Sequence, residues 1–156
     1  MDRLAWAIVA ALAVGASACG ATTRGAFSGA TPTLTNATVT FVTRDDGKDD
    51  DTAVTVQLLR NGNELGAEAT SVGREFDDNT VARPMALAMT APFYLNDINE
   101  SRLRVRMTPD DDDDWTFDVN LMLTFSDGTR RTFSWDGIKL DEDMPERSLP
   151  LASARR

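Results

Sequence analysis

Two runs of aspartate are the residues best equipped for chemistry in this chain. One holds Asp45, Asp46, Asp49, Asp50 and Asp51, with Gly47 and Lys48 among them, and the other is the unbroken run Asp110 to Asp114. Clustered carboxylates repel one another, and a divalent cation relieves that repulsion. Calcium in particular takes six to eight hard oxygen ligands, largely carboxylates and backbone carbonyls on loops. Neither run is an EF-hand. Counting from Asp45, the glycine position holds Asp50 and the final glutamate position holds Val56; counting from Asp110 they hold Trp115 and Leu121. The case for Ca²⁺ therefore rests on composition and placement. The same composition also makes a solvated, solubilising turn.

Other chemistries are narrower. The chain has no histidine, which removes the commonest general base and the commonest ligand for zinc, copper or iron. Its one cysteine, Cys19, lies in the N-terminal segment, so no ordinary nucleophile–base pair can form. Paired carboxylates for glycoside hydrolysis are compatible with so many aspartates, but the chain lacks the long insertions that would wall a cleft. A non-catalytic protein is expected. Arg102, Arg104 and Arg106 alternate as a basic stripe, suited to anionic lipid or glycan, or to cross-strand pairing with Asp118 and Asn120. Trp135, near a strand end, is the candidate for a sugar-stacking surface, although its strand parity also suits a core. The net charge of −9 argues against a nucleic-acid partner.

The elements that must position these groups begin after a targeting segment. Residues 1–18 read as a signal peptide: a short basic start, then the apolar run Leu4 to Val14, too short for the roughly 20 residues of a membrane-spanning helix. Ala16-Ser17-Ala18-Cys19 resembles a bacterial lipobox, with Ala16 where leucine is most common, and marks Cys19 as the lipidation site. Ala16-x-Ala18 also fits ordinary signal-peptidase cleavage, hence secretion. On the lipobox reading, Gly20 after the cysteine implies the outer membrane of a Gram-negative cell. Residues 19–36, rich in Gly, Ala, Thr and Ser, read as a flexible tether. Residues 37–152 read as one domain.

That domain reads as all-β. Trp115, Phe117, Val119, Leu121, Leu123 and Phe125 share one parity, and Thr116, Asp118, Asn120, Met122 and Thr124 the other. Side chains in a strand alternate faces, so the first set walls a core and the second meets water. Similar runs follow Thr38, Ala53, Glu64, Met85, Arg102 and Arg130, with a possible edge strand at Ser148 to Leu151. Asn61-Gly62 signals a two-residue hairpin, and Ser71 to Arg83 a long loop. Seven or eight short strands, with a turn signal about every ten residues and no helix, predict an antiparallel β-sandwich.

From Val39 to Leu140 the chain resembles the PLAT/LH2 domain, the β-sandwich of lipoxygenases and polycystins. The resemblance lies in Thr43 to Val56, where an acidic loop leads into an alternating strand, in Asp110–Asp114 leading into Trp115 to Val119, and in Thr132-Phe133-Ser134-Trp135. Asp50 or Asp51 stands where that family has glycine. The resemblance implies a non-catalytic module that binds lipid surfaces or protein partners, here envelope proteins if the chain is anchored through Cys19, sometimes with Ca²⁺ at its end loops. It makes Asp45, Asp46, Asp49, Asp50 and Asp51 the ligand candidates, joined by Asp110, Asp112 and Asp114. A purely structural or assembly lipoprotein without metal, and a carbohydrate-binding module, are the alternatives.

Overall fold

The computed structural model describes residues 29–45, 47–48, 51–108 and 114–155. The chain folds as the antiparallel β-sandwich that its alternating pattern predicts, with nine described strands where seven or eight were expected: β1 (Leu34–Thr43), β2 (Ala53–Leu59), β3 (Leu65–Ser71), β4 (Met85–Ala86), β5 (Ala88–Met89), β6 (Arg102–Thr108), β7 (Trp115–Phe125), β8 (Arg130–Leu140) and β9 (Glu146–Pro150). The strand orders of the two sheets are β4-β1-β7-β8 and β5-β3-β2-β6-β9. The only helical segments among the described residues are three short 3-10 turns.

β1 and β7 form the centre of the first sheet, in register from Ala37↔Leu123 to Thr43↔Phe117. The six apolar residues of β7 that share a parity are all buried. They meet Val39 and Phe41 of β1 on the same sheet and Val54, Val56, Leu58, Leu103, Val105 and Met107 from the second, giving one core. β1 starts at Leu34, inside the stretch expected to be tether, because Leu34 is itself buried and pairs with Phe125.

Both flanks of the sandwich are closed by segments that change sheets. Met85–Ala86 pairs with β1 and Ala88–Met89 with β3, so the chain switches sheets at the buried Leu87. On the other side, the segment after β9 crosses to β8, where Ser134 and Arg155 exchange both backbone hydrogen bonds at 3.1 Å and Arg155 pairs with Asp136. These closures shorten the free strand edges that invite pairing with other chains.

Two turns differ from expectation or refine it. Asn61-Gly62 does not make a two-residue hairpin; residues 60–64 form a wider turn with Gly62 at φ 73° and Asn63 at φ 66°, closed by Arg60 N–H donating to Glu64 O at 2.8 Å. At Ser126–Thr129, the Asp127 carboxylate accepts from Thr129 N–H at 2.9 Å and Thr129 Oγ1–H at 2.8 Å, which holds its pKa below the ordinary 3.8.

Strand direction fixes which loops meet. Thr43↔Phe117, Ala53↔Thr108, Val54↔Ser71, Trp115↔Leu140 and Arg106↔Glu146 all lie at one end of the sandwich. The strand ends joined by the connections 44–52, 72–84, 109–114 and 141–145 therefore share that end. The chain enters β1 at the opposite end, where Leu34 pairs with Phe125.

Candidate functional site

An aromatic cluster floors the acidic end. Phe41 of β1, Trp115 and Phe117 of β7, and Phe76 from the 72–84 connection are all buried. Trp115 stacks on Phe117 with centroids 4.0 Å apart, and lies 4.9 Å from Phe76 and 5.0 Å from Phe41. Its indole N–H donates to Thr43 Oγ1 at 3.2 Å, so this buried polar group is satisfied.

Lys48 lies in the middle of the first acidic run, yet is 1% exposed. Its ammonium donates to Arg74 O at 2.8 Å and sits 5.4 Å from the Phe76 ring centroid. Burying a charge is costly unless it is hydrogen-bonded and compensated. The Arg74 carbonyl and the Phe76 ring face supply part of that compensation.

The 44–52 and 72–84 connections are joined by backbone bonds. Phe76 N–H donates to Lys48 O at 3.1 Å, Lys48 N–H to Phe76 O at 3.3 Å, and Asn79 N–H to Arg44 O at 2.9 Å. Gly47 makes the approach possible: a Cβ there would lie 2.7 Å from Phe76 O and 2.7 Å from Asp78 Oδ1. Gly47→Ala is expected to push the two connections apart, at a cost of about 1–2 kcal/mol, read as a lower denaturation midpoint in urea. A shallow pocket of about 420 Å³ opens here, lined by Gly47, Lys48, Glu75, Phe76, Asp77 and Asp78.

Of the aspartates singled out in the sequence, Asp45, Asp51 and Asp114 are described, and Asp45, Asp51 and Asp114 are all solvent-exposed. Asp114 pairs with Lys139 at 2.8 Å. Asp46, Asp49, Asp50, Asp110 and Asp112, like Cys19, lie outside the described residues. Among the described residues no group of three or more acids converges to hold a metal ion. Sequence reasoning marked Ser71 to Arg83 as a long loop but did not join it to the first acidic run; Phe76, an isolated aromatic in a polar stretch, is the signal that anchors this connection to the core.

The arginine stripe is not paired as expected. Asp118 and Asn120 belong to β7 in the other sheet. The Asp118 carboxylate instead accepts both Nε–H and Nη2–H of Arg44, at 2.8 and 2.7 Å, and the N–H of Gly137 at 2.8 Å. Gly137, at φ 61°, sits where the β7–β8 register shifts, so Asp118 secures a bulge. Arg104 faces Glu146 of β9 instead, its Nε 3.3 Å from Oε1 though off the hydrogen-bond line. Trp135 is 9% exposed and belongs to the core beside Phe133, so its ring does not offer a sugar-stacking face.

No protein-family model matches the chain, and no curated protein matches it.

Proposed function

We propose that the chain is an envelope-anchored, non-catalytic β-sandwich interaction module that works through its acidic end, with Ca²⁺ modulating that end. The observation that carries this reading is the shared location of the strand ends joined by the four connections 44–52, 72–84, 109–114 and 141–145. Among the described residues they bring Asp45, Asp51, Glu75, Asp77, Asp78, Asp114, Asp141, Glu142 and Asp143 to one pole. A cation or a basic partner is what such a pole attracts. The tether would enter at the opposite pole, so a chain anchored through Cys19 would turn its acidic end away from the membrane. β1 alone, with 10 residues, sets the poles about 30 Å apart. The PLAT/LH2 likeness of the sequence supports the same class of module. The burial of Trp135 weighs against a carbohydrate-binding module, and a metal-free assembly lipoprotein is the reading to be tested against.

The test is thermal unfolding of residues 20–156, which include every described strand and every described core residue, in EDTA, then Ca²⁺, then equal Mg²⁺. Extracellular calcium sites have Kd of about 10⁻⁴–10⁻³ M. Saturating such a site is expected to raise the midpoint by about 5–10 °C. A rise with Ca²⁺ and little with Mg²⁺ supports a coordinated site. Equal small rises reduce the acidic loops to solvated turns and leave the metal-free reading.

A further inference from the structure

The acidic pole has a counterpart on the same molecule. β6 lies inside its sheet between β2 and β9, and its outward residues are Arg102, Arg104 and Arg106. Alternate residues of a strand stand about 7 Å apart, so the three guanidinium groups form a regular row. Their cross-strand partners are Leu59, Gln57 and Thr55 on β2 and Pro150, Ser148 and Glu146 on β9, with Glu68 of β3 beyond Gln57, so the arginines outnumber the acids beside them by three to two. Arg106 is exposed, and among the described residues neither Arg102 nor Arg106 has an ion-pair partner. Outside the four acidic connections, bases outnumber acids in the chain. The molecule therefore carries an acidic end and, along β6, a lateral row of arginines of which Arg102 and Arg106 have no ion-pair partner among the described residues.

We propose that the outer face of β6 is a docking surface for the acidic end of a second copy of this chain. The occupant follows from charge complementarity: Asp77, Asp78, Glu142 and Asp143 are exposed at the pole and present carboxylates to such a row. Arg–carboxylate pairs are the strongest of the side-chain ion pairs and can be bidentate. The two surfaces differ, so the contact is heterologous: each copy offers an end to one neighbour and a face to another. Such contacts do not close on a two-fold axis, and they extend into open chains. This inference is independent of Ca²⁺ and is tested in EDTA.

The measurement is the weight-average mass of residues 20–156 by sedimentation, as a function of concentration and salt. At about 20 mM salt, where screening extends about 20 Å, the mass is expected to rise at least twofold with concentration. At about 0.3 M salt, where screening falls to about 6 Å, it should return to that of one copy. Reversing the stripe (Arg104→Glu with Arg106→Glu) and reversing the pole (Asp77→Lys, Asp78→Lys, Glu142→Lys and Asp143→Lys) should each leave single copies. Mixed together, these two variants should associate again at low salt, because one keeps its acidic pole and the other its stripe, and the two reversed surfaces are complementary as well. Arg106→Glu alone, at an exposed position, replaces the double change if that variant loses its cooperative unfolding. A wild-type mass that stays flat at low salt overturns the proposal. So does a stripe variant that associates like wild type, or a mixture that stays unpaired.

Discussion

Trp115→Ala should cost about 3–5 kcal/mol of folding stability, the range for emptying a large aromatic site in a core. Trp115 is fully buried and contacts three other rings, at centroid distances of 4.0, 4.9 and 5.0 Å. Each of those rings comes from a position that matters to the acidic end: Phe41 precedes the first connection, Phe76 anchors the second, and Phe117 follows the third. Removing the indole leaves a cavity at their junction and strips Thr43 Oγ1 of its donor. Single domains have about 5–15 kcal/mol in total, so the loss takes a large share. Guanidinium unfolding at an unchanged slope would measure it. Trp115→Phe should recover about half, since it refills part of the volume but not the N–H. A loss below about 1 kcal/mol would mean that the ring cluster does not carry the end of the sandwich.

Lys48→Ala should cost about 3–4 kcal/mol, combining a truncated buried side chain with a lost charged hydrogen bond. The comparison that separates these parts is Lys48→Met, which keeps the stem and removes only the charge. It is expected to cost about 2 kcal/mol, because Arg74 O loses its 2.8 Å donor and the carboxylates above lose a fixed positive charge. The salt dependence identifies the second contribution. If Lys48 offsets repulsion among the acids, the Lys48→Met chain gains more stability from added salt than wild type does. Equal salt responses would confine Lys48 to the hydrogen bond and the packing of its stem. Urea titrations at two salt concentrations decide this.

The strands were legible because burial on one side writes itself as alternation. β7 shows it best, with every second residue from Trp115 to Phe125 apolar and buried. The topology was not legible, because alternation says which face a residue takes and nothing about which strand lies beside it. Arg102, Arg104 and Arg106 were rightly placed outward, yet their expected partners proved to lie in the other sheet. Lys48 shows a second limit. A lysine amid aspartates looks like part of a solvated loop, and only the backbone pairing with Phe76 draws it inside. Asn61-Gly62 shows a third: the dipeptide marks the turn correctly, but the left-handed Asn63 beside it widens the loop.

The pairing of β1 with β7 has a consequence in time. Their contacts join residues far apart in sequence, with separations of 89 for Thr35–Thr124 and 74 for Arg44–Asp118. Long segments of chain must be gathered before this central pair rewards its closure. Folding of such all-β domains falls in the range of about milliseconds to seconds, slower than that of helical bundles of equal stability. During that interval β1 and the apolar wall of β7 are both unmatched. A chain of this kind gains from having its most repulsive residues next to its most adhesive strand, and the aspartate run that immediately precedes Trp115 is so placed.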